Sequence, residues 1–523
     1  MKKLPLGIQT FSKVIKDNYR YVDKTKEIYH LLESGSQYYF LSRPRRFGKS
    51  LLISTLKEIF SGSKELFKNL WIYDKVDWQK YPVIHFDFSG LEYGSREELK
   101  NTLEFLVNQN ARNYDVELKE KGYDKRFIEL IGELSKINKV VILVDEYDKP
   151  IIDFIDKKEI AAGNRDILRT FYSVIKRADQ FLRFALITGV SKFSRVSVFS
   201  GLNNLNDITV DDRFAAILGY TEEELQRCFK DEINDLAARL RKNKAEMAKT
   251  IKKWYNGYSW DGKSFMYNPL SILMLFSKKQ FDNYWFSTGT PTFLVKLLKE
   301  RNYDISEFED LPVSSYIFDS YDVDNIEIAP LLFQTGYLTI KEAWTRKEKK
   351  WYRLSYPNKE VRESFLTYLF REYTGRDLAA GTRLLERMAE AVEAGDMESF
   401  IQQVKSLFAS IPYNIFIGDR EAYYHSIIYL ILRLCGVRVE PEKQTNTGRI
   451  DAVIETGQKV YIIEFKIGSE QEALDQIKNK NYHESYLSSD KEIVLMGVGF
   501  DLEKRNIGNY ALESVPPHHV GRV

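Results

Sequence analysis

The sequence predicts a multidomain α/β protein with a parallel-sheet unit first, a helical middle ending in a β-hairpin, and a separate mixed α/β unit last. Three observations carry this expectation. A short apolar strand enters a basic, glycine-containing loop and then a helical pattern; a five-residue apolar run, Val140 to Val144, ends in Asp145-Glu146; and two strand patterns flank Thr456-Gly457-Gln458. At 523 residues, and roughly 100–200 residues per domain, the chain has room for about three or four domains. Its 44% hydrophobic and 29% charged residues, with only 28 Gly and 13 Pro, exclude collagen-like, low-complexity and mostly disordered chains.

The first unit, residues 1–215, rests on four strand patterns. Tyr38 to Leu41 precedes the loop and the helical run Leu51, Leu52, Thr55, Leu56, Ile59, while Val83 to Asp87, Val140 to Val144 and Phe184 to Thr188 follow with helical segments between them. Strands that alternate with helices imply a parallel sheet covered on both faces. Residues 216–375 contain Thr221-Glu222-Glu223-Glu224, a capping box in which the Thr221 hydroxyl and the Glu224 carboxylate satisfy free backbone donors of a new helix. Helices dominate to about residue 300. Gly336 to Ile340 and Trp351 to Leu354 then flank a polar tip, a hairpin after helices that suggests a winged helix. Residues 376–410 read as a helical linker, and 411–523 as a domain of mixed helix and strand.

No run approaches the ~18 consecutive apolar residues of a membrane-spanning helix, since Ile427 to Leu432 meets Arg433 at once. The N-terminus carries polar residues where an export signal needs an apolar core. Two distant cysteines, Cys228 and Cys435, argue against a disulfide framework and a thiolate metal site, so the expectation is a cytoplasmic protein without membrane contact. A net charge of +2 from 77 basic and 75 acidic residues predicts no global attraction to nucleic acid. Any such attraction belongs to local patches.

The loop Arg43-Pro44-Arg45-Arg46-Phe47-Gly48-Lys49-Ser50 sits between strand and helix, where backbone N–H groups and the helix N-terminus cradle phosphate oxygens. It follows the P-loop pattern, with Arg43 where the first glycine belongs. Lys49 would reach the β/γ-phosphates of ATP and Ser50 would hold Mg²⁺. A basic turn before a helix is the ordinary account of an isolated Gly-Lys-Ser, but Asp145 and Glu146 change the balance. A buried parallel strand delivers both acids to its carboxyl edge, Asp145 into the Mg²⁺ shell and Glu146 onto the attacking water. Together these make the first unit a P-loop NTPase sheet. Thr188 ends the next strand and would point its hydroxyl at the γ-phosphate. Lys192 and Arg195 beyond it are most simply solvated, and Asp148 and Pro150 most simply make a turn.

If Gly457-Gln458 is the two-residue turn of a hairpin, Asp451 lies opposite Glu464 with Cβ atoms roughly 5 Å apart. Facing carboxylates are unfavourable unless a cation or proton joins them, which points to a metal site for Mg²⁺ or Mn²⁺. Lys466, two residues on and so on the same face, would act on a water or on charge developing at a phosphate. Glu421 opens a helix before the hairpin and would approach the metal as an additional acid; Gln476 and Lys480 share a face of the helix after it. This is the arrangement of a PD-(D/E)xK nuclease site in a restriction-endonuclease-like α/β domain. A hairpin with polar cross-strand pairs is the plainer account, but an otherwise apolar strand has little structural reason to carry Glu464 at its centre.

The combination of Tyr21-Val22-Asp23-Lys24-Thr25, the loop 43–50, Asp145-Glu146-Tyr147-Asp148-Lys149-Pro150, Tyr337-Leu338-Thr339 and Glu464-Phe465-Lys466 resembles the bacterial AAA-ATPase-like proteins fused to a PD-(D/E)xK nuclease domain. The resemblance spans nearly the whole chain, and Arg43 in the first P-loop position is usual in that family. It implies the ATPase and nuclease folds and Mg²⁺ at both sites. The hairpin tip adds Arg346, Lys347, Lys349 and Lys350 beside Trp344 and Trp351, and wings commonly touch the phosphate backbone. A second basic stretch runs from Arg239 to Lys253. The preferred expectation is therefore an ATP-regulated, metal-dependent nuclease with DNA as partner. The alternative is a non-cleaving ATP-dependent switch that binds DNA or protein and keeps the nuclease fold as a docking module. A homo-oligomer is compatible with either.

Overall fold

The computed structural model describes residues 2–192, 198–199, 202, 204–286, 292–301, 303–319, 327–412, 421–435, 438–444, 449–487 and 490–515. The chain divides into two compact units, Met1–Phe293 with Asp310–Arg362, and Leu294–Glu309 with Glu363–Val523. This division is coarser than the four stretches read from the sequence. Among the described residues no helix is long and apolar enough to cross a membrane, and Cys228 and Cys435 are free thiols.

The first unit is built on strands β1 (Tyr38–Ser42), β2 (Val83–Asp87), β3 (Val140–Asp145), β4 (Leu182–Gly189) and β5 (Asn206–Asp207), in the order β2-β3-β4-β1-β5 with every pairing parallel. All six residues of β3 are buried, as a strand covered on both faces requires. Alternation sorts the two sides. Tyr39, Leu41, Val141, Leu143, Phe184 and Leu186 join one core with Leu52 and Leu56 of the helix Lys49–Phe60. Phe86 of β2 instead meets Phe127 at 5.0 Å and Phe171 at 5.2 Å, from the helices Tyr123–Ser135 and Lys158–Arg177. The parallel ladder places β4 between β1 and β3, with Leu41 level with Thr188 and Val144 level with Ile187. The loop after β1 and the acids after β3 thus emerge at one edge.

The Tyr21-Val22-Asp23-Lys24-Thr25 motif ties separate segments of this unit together. Asp23 accepts from the Thr25 N–H at 2.9 Å and from the Trp71 N–H at 2.8 Å. Lys24 Nζ donates to Glu224 Oε2 at 2.6 Å and to Ala216 O at 3.0 Å. Glu224 belongs to the expected capping box, which forms at the helix Glu222–Cys228. A second box, Asn243 with Glu246, starts the helix Lys244–Tyr255. Short strands β6 (Asn256–Tyr258) and β7 (Met266–Tyr267) pair next. Then β8 (Leu311–Ser314), β9 (Thr339–Arg346) and β10 (Lys349–Ser355) form an antiparallel sheet in the order β8-β10-β9. Its hairpin turns at Lys347 and Glu348, both with positive φ, the backbone of a tight two-residue turn.

The second unit carries β11 (Arg438–Gln444), β12 (Arg449–Glu455), β13 (Lys459–Ile467), β14 (Glu492–Asp501) and β15 (Asn506–Val515) in sequence order, antiparallel except for the parallel pair β13 and β14. Parallel neighbours need a crossover. It is supplied by the helix Glu470–Asn479, which lies so close to β14 that a Cβ on Gly497 would stand 2.2 Å from Glu470 O. The expected helical stretch before this sheet appears as Leu378–Glu393 and Met397–Ser410.

Candidate active sites

The loop after β1 has left-handed backbone at Arg46, φ 67°, and at Gly48, φ 95°, immediately before the helix Lys49–Phe60. Changes of backbone hand like these build concave runs of N–H groups, and the helix start adds free donors. Lys49 is buried there, its ammonium donating to Arg43 O at 2.8 Å and Pro44 O at 3.0 Å. Burial pulls its pKa down while the nearby Asp145, Asp148 and Glu146 oppose that fall. A cleft of about 430 Å³ opens beside the loop, lined by Arg45, Arg46, Gly48, Lys49, Ser50, Glu146 and Asp148, with Gly7, Ile8, Tyr220 and Leu270 forming its less polar wall.

Two loop side chains lie elsewhere than the loop reading implies. Arg43 is fully buried; its guanidinium donates to Thr209 O at 2.7 Å, to Ser42 O at 2.9 Å and to Phe214 O at 3.3 Å, and it lies 3.9 Å over the Trp260 ring. Burial lowers its pKa to about 9, against the pull of Asp207 and Asp261. Phe47 turns its ring edge-on to Tyr258 at 4.8 Å and Trp260 at 5.2 Å. Both residues anchor the loop, and their side chains do not line the cleft. Pro44 is likewise buried, whereas Arg45 and Arg46 are exposed at the rim.

Asp145 is buried and accepts the Thr188 hydroxyl at 2.8 Å and the Glu146 N–H at 3.1 Å. The Thr188 hydroxyl is thus directed at the Asp145 carboxylate. Glu146 has positive φ, 53°, and its half-buried carboxyl is pushed up by burial against the pull of Lys49. Asp148 is the residue that sequence reasoning missed. Far from making a simple turn, its buried carboxylate accepts the Ser191 N–H at 2.6 Å and the Val190 N–H at 3.0 Å, and burial raises it to about 6. Its only sequence signal was membership of the acidic run after β3. Lys192 pairs with Asp207 at 2.8 Å, and Arg195 lies outside the described residues.

In the second unit the hairpin register is the one its turn demands. Ala452 pairs with Ile463 and Val453 with Ile462. One step further, the Asp451 carboxylate accepts the Phe465 N–H at 2.8 Å and the Asp451 N–H lies 3.5 Å from Glu464 Oε2. The two acids therefore meet where the backbone ladder gives way to side chains. Glu464 is 1% exposed, and burial followed by the neighbouring Asp451 charge pushes its carboxyl well up. Gln476, from the helix Glu470–Asn479, donates its amide to Glu464 Oε1. Lys466 is half-buried on the same strand, and Lys480 caps the end of that helix. Glu421 begins the helix Glu421–Leu434, and its side chain lies outside the described residues.

This donor set suits a hard divalent cation: two carboxylates in one place, one of them driven towards protonation by burial and by the charge of the other. Among the described residues no group of three or more His, Cys, Asp or Glu is placed so that it could hold a metal ion by itself. Mg²⁺ commonly takes one or two carboxylates and completes its shell with water and substrate phosphate, so the pair fits it, and Mn²⁺ takes the same oxygen ligands.

Residues 5–199 match the family model described as Predicted AAA-ATPase, and residues 419–510 match the PD-(D/E)XK nuclease superfamily. A protein of Azotobacter chroococcum mcd 1, described as "Uncharacterized protein in vnfD 5'region", is 40% identical over 525 residues, which cover 98% of this chain and 99% of the relative.

Proposed function

The chain belongs to the family of predicted AAA-ATPases with a C-terminal PD-(D/E)XK nuclease-superfamily domain, and from that premise we propose that it is an ATP-regulated, metal-dependent nuclease acting on DNA. The observation that carries this reading is the meeting of Asp451 and Glu464 at the end of the β12/β13 ladder, with the Gln476 amide on Glu464. An inert hairpin gains nothing from a buried carboxylate facing another.

Asp451 and Glu464 would hold the ion, and Glu421 would approach it. When bound, Mg²⁺ or Mn²⁺ supplies a lowered pKa for water and polarisation of the phosphodiester. Lys466 would orient that water or balance charge developing on the phosphate. Gln476 positions Glu464 by holding one carboxylate oxygen. In the ATPase unit, Lys49 would exchange the Arg43 and Pro44 carbonyls for β/γ-phosphate oxygens. Ser50 and Asp145 would hold the Mg²⁺ of ATP, Thr188 would fix the Asp145 carboxylate, and Glu146 would align the attacking water.

We assign residues 1–215 to the ATPase domain, 216–375 to a lid and winged-helix region, 376–410 to a linker and 411–523 to the nuclease domain. The exposed tip residues Arg346, Lys347, Lys349 and Lys350 would contact nucleic-acid phosphates. Two free thiols suit a reducing cytosol. The test is incubation with linear duplex, circular duplex, single-stranded DNA and RNA, with Mg²⁺ or Mn²⁺, in the presence and absence of ATP. Metal-dependent cutting that ATP modulates is expected. Binding without cutting under every condition would instead support the non-cleaving switch.

A further inference from the structure

The sheet β8-β10-β9 has one buried and one open face. Ile340, Tyr352 and Leu354 are buried on the inner side, where Tyr352 meets Phe318 at 5.1 Å. Alternation sends Trp351 to the outer side, and the ladder places Trp344 directly opposite it, with the Arg346 and Lys349 pair next towards the tip. Both tryptophans are partly exposed. Tyr316, which follows β8, is 63% exposed, and the Lys349 ammonium lies 5.6 Å from its ring centroid. The outer face therefore presents a partly exposed cross-strand indole pair and an exposed phenol; the Arg353 guanidinium, paired with Asp310 and Glu342, lies 5.7 Å from the Trp344 ring centroid, and Arg346, Lys347, Lys349 and Lys350 make the tip positive.

From this we infer that the outer face of β8-β10-β9 is a stacking platform for unpaired nucleotides, so that the nucleic acid reaching this protein is single-stranded or carries an unpaired stretch. The inference rests on the reading of this hairpin as a nucleic-acid contact and goes beyond it. Cations alone track phosphates of either duplex or single strand, because both are polyanions. Aromatic rings laid open on a sheet add something only unpaired bases accept, since bases inside a duplex already stack on each other. The positive tip favours a polyanion over an apolar protein partner, and the sequence of the nucleic acid is immaterial to it because every base has a π-face.

The test measures binding of the full chain, without divalent metal so that no cutting intervenes, to fluorescein-labelled dT20 and to a 20-base-pair duplex. Trp344→Ala and Trp351→Ala are each expected to weaken dT20 binding roughly 5- to 100-fold, with duplex affinity unchanged. Trp351→Phe should restore most of the loss, which separates stacking from folding. Lys347→Ala should weaken both ligands and lower the salt slope. Equal loss of dT20 and duplex in the tryptophan variants, or no loss of dT20, would overturn the platform while leaving the phosphate-contact reading intact. Failure of wild type to bind either ligand would overturn both. Conversion of a wild-type dimer to monomer by Trp344→Ala, seen by sedimentation, would reassign the face to a second copy of this chain.

Discussion

Lys49 and Glu146 line the same cleft, and in the proposed ATPase reading their replacement should separate binding from hydrolysis. Lys49→Ala removes the cation that would meet the phosphates and is expected to abolish ATP binding; Glu146→Gln keeps the shape and should bind ATP while hydrolysing it at least tenfold more slowly. Calorimetric titration and phosphate release check the two. Asp451→Ala, Glu464→Ala and Lys466→Ala should each eliminate metal-dependent cleavage. The two carboxylate variants should also lose stabilisation by Mn²⁺ and hold or gain stability without it, because one of two facing charges is gone. Retained cleavage in Glu464→Ala would remove the nuclease assignment. Glu360 offers a pH test outside either site. Buried, it accepts from the Trp285 N–H at 2.7 Å and the Ser271 hydroxyl at 2.8 Å, and burial raises its carboxyl from 4.5 to about 7. A carboxyl that binds its proton more tightly when folded favours folding below pH 4.5, and that contribution fades as pH climbs through about 7. The effect is on the order of 3 kcal/mol. Glu360→Gln should therefore raise Tm relative to wild type more at pH 8 than at pH 5.

At the scale of elements, the helix Glu470–Asn479 decides whether the carboxylate pair is supported. It delivers Gln476 to Glu464 only because β14 offers glycine at its contact, where a methyl would press on Glu470 O. Gly497→Ala is expected to cost about 1–3 kcal/mol of stability by overpacking. It should also weaken Mn²⁺ binding roughly 10- to 100-fold by displacing the amide that orients Glu464. Chemical denaturation and metal titration read the two effects. Unchanged metal affinity would detach Gln476 from the site. The Arg43 to Trp260 contact works the same way on the other unit, tying the loop after β1 to the segment after β6.

Across the whole molecule, each unit has its own sheet and core, so the two ligand responses should be separable. Asp451→Ala should keep full thermal stabilisation by ATP, about 2.7 kcal/mol at a hundredfold excess over Kd, and Lys49→Ala should keep stabilisation by Mn²⁺. Cross-loss in either variant would show that the sites share one folding unit. What the sequence by itself determined follows from short-range patterns. The apolar run of β3, the loop ending Gly48-Lys49-Ser50, the Thr221 capping box and the turn at Gly457-Gln458 are local, and a two-residue turn sets the pairing of every residue behind it, which brings Asp451 to Glu464. What only the tertiary structure decided involves partners far apart in the chain. Arg43 turns to Thr209 and Trp260, Thr188 donates to Asp145, Asp148 fastens the amides of Val190 and Ser191, and the Trp344 and Trp351 pair stays partly exposed. No spacing rule reaches across such separations. A buried guanidinium, hydroxyl or carboxylate takes the carbonyl or N–H that packing leaves beside it, because burial without a partner costs more than any local preference.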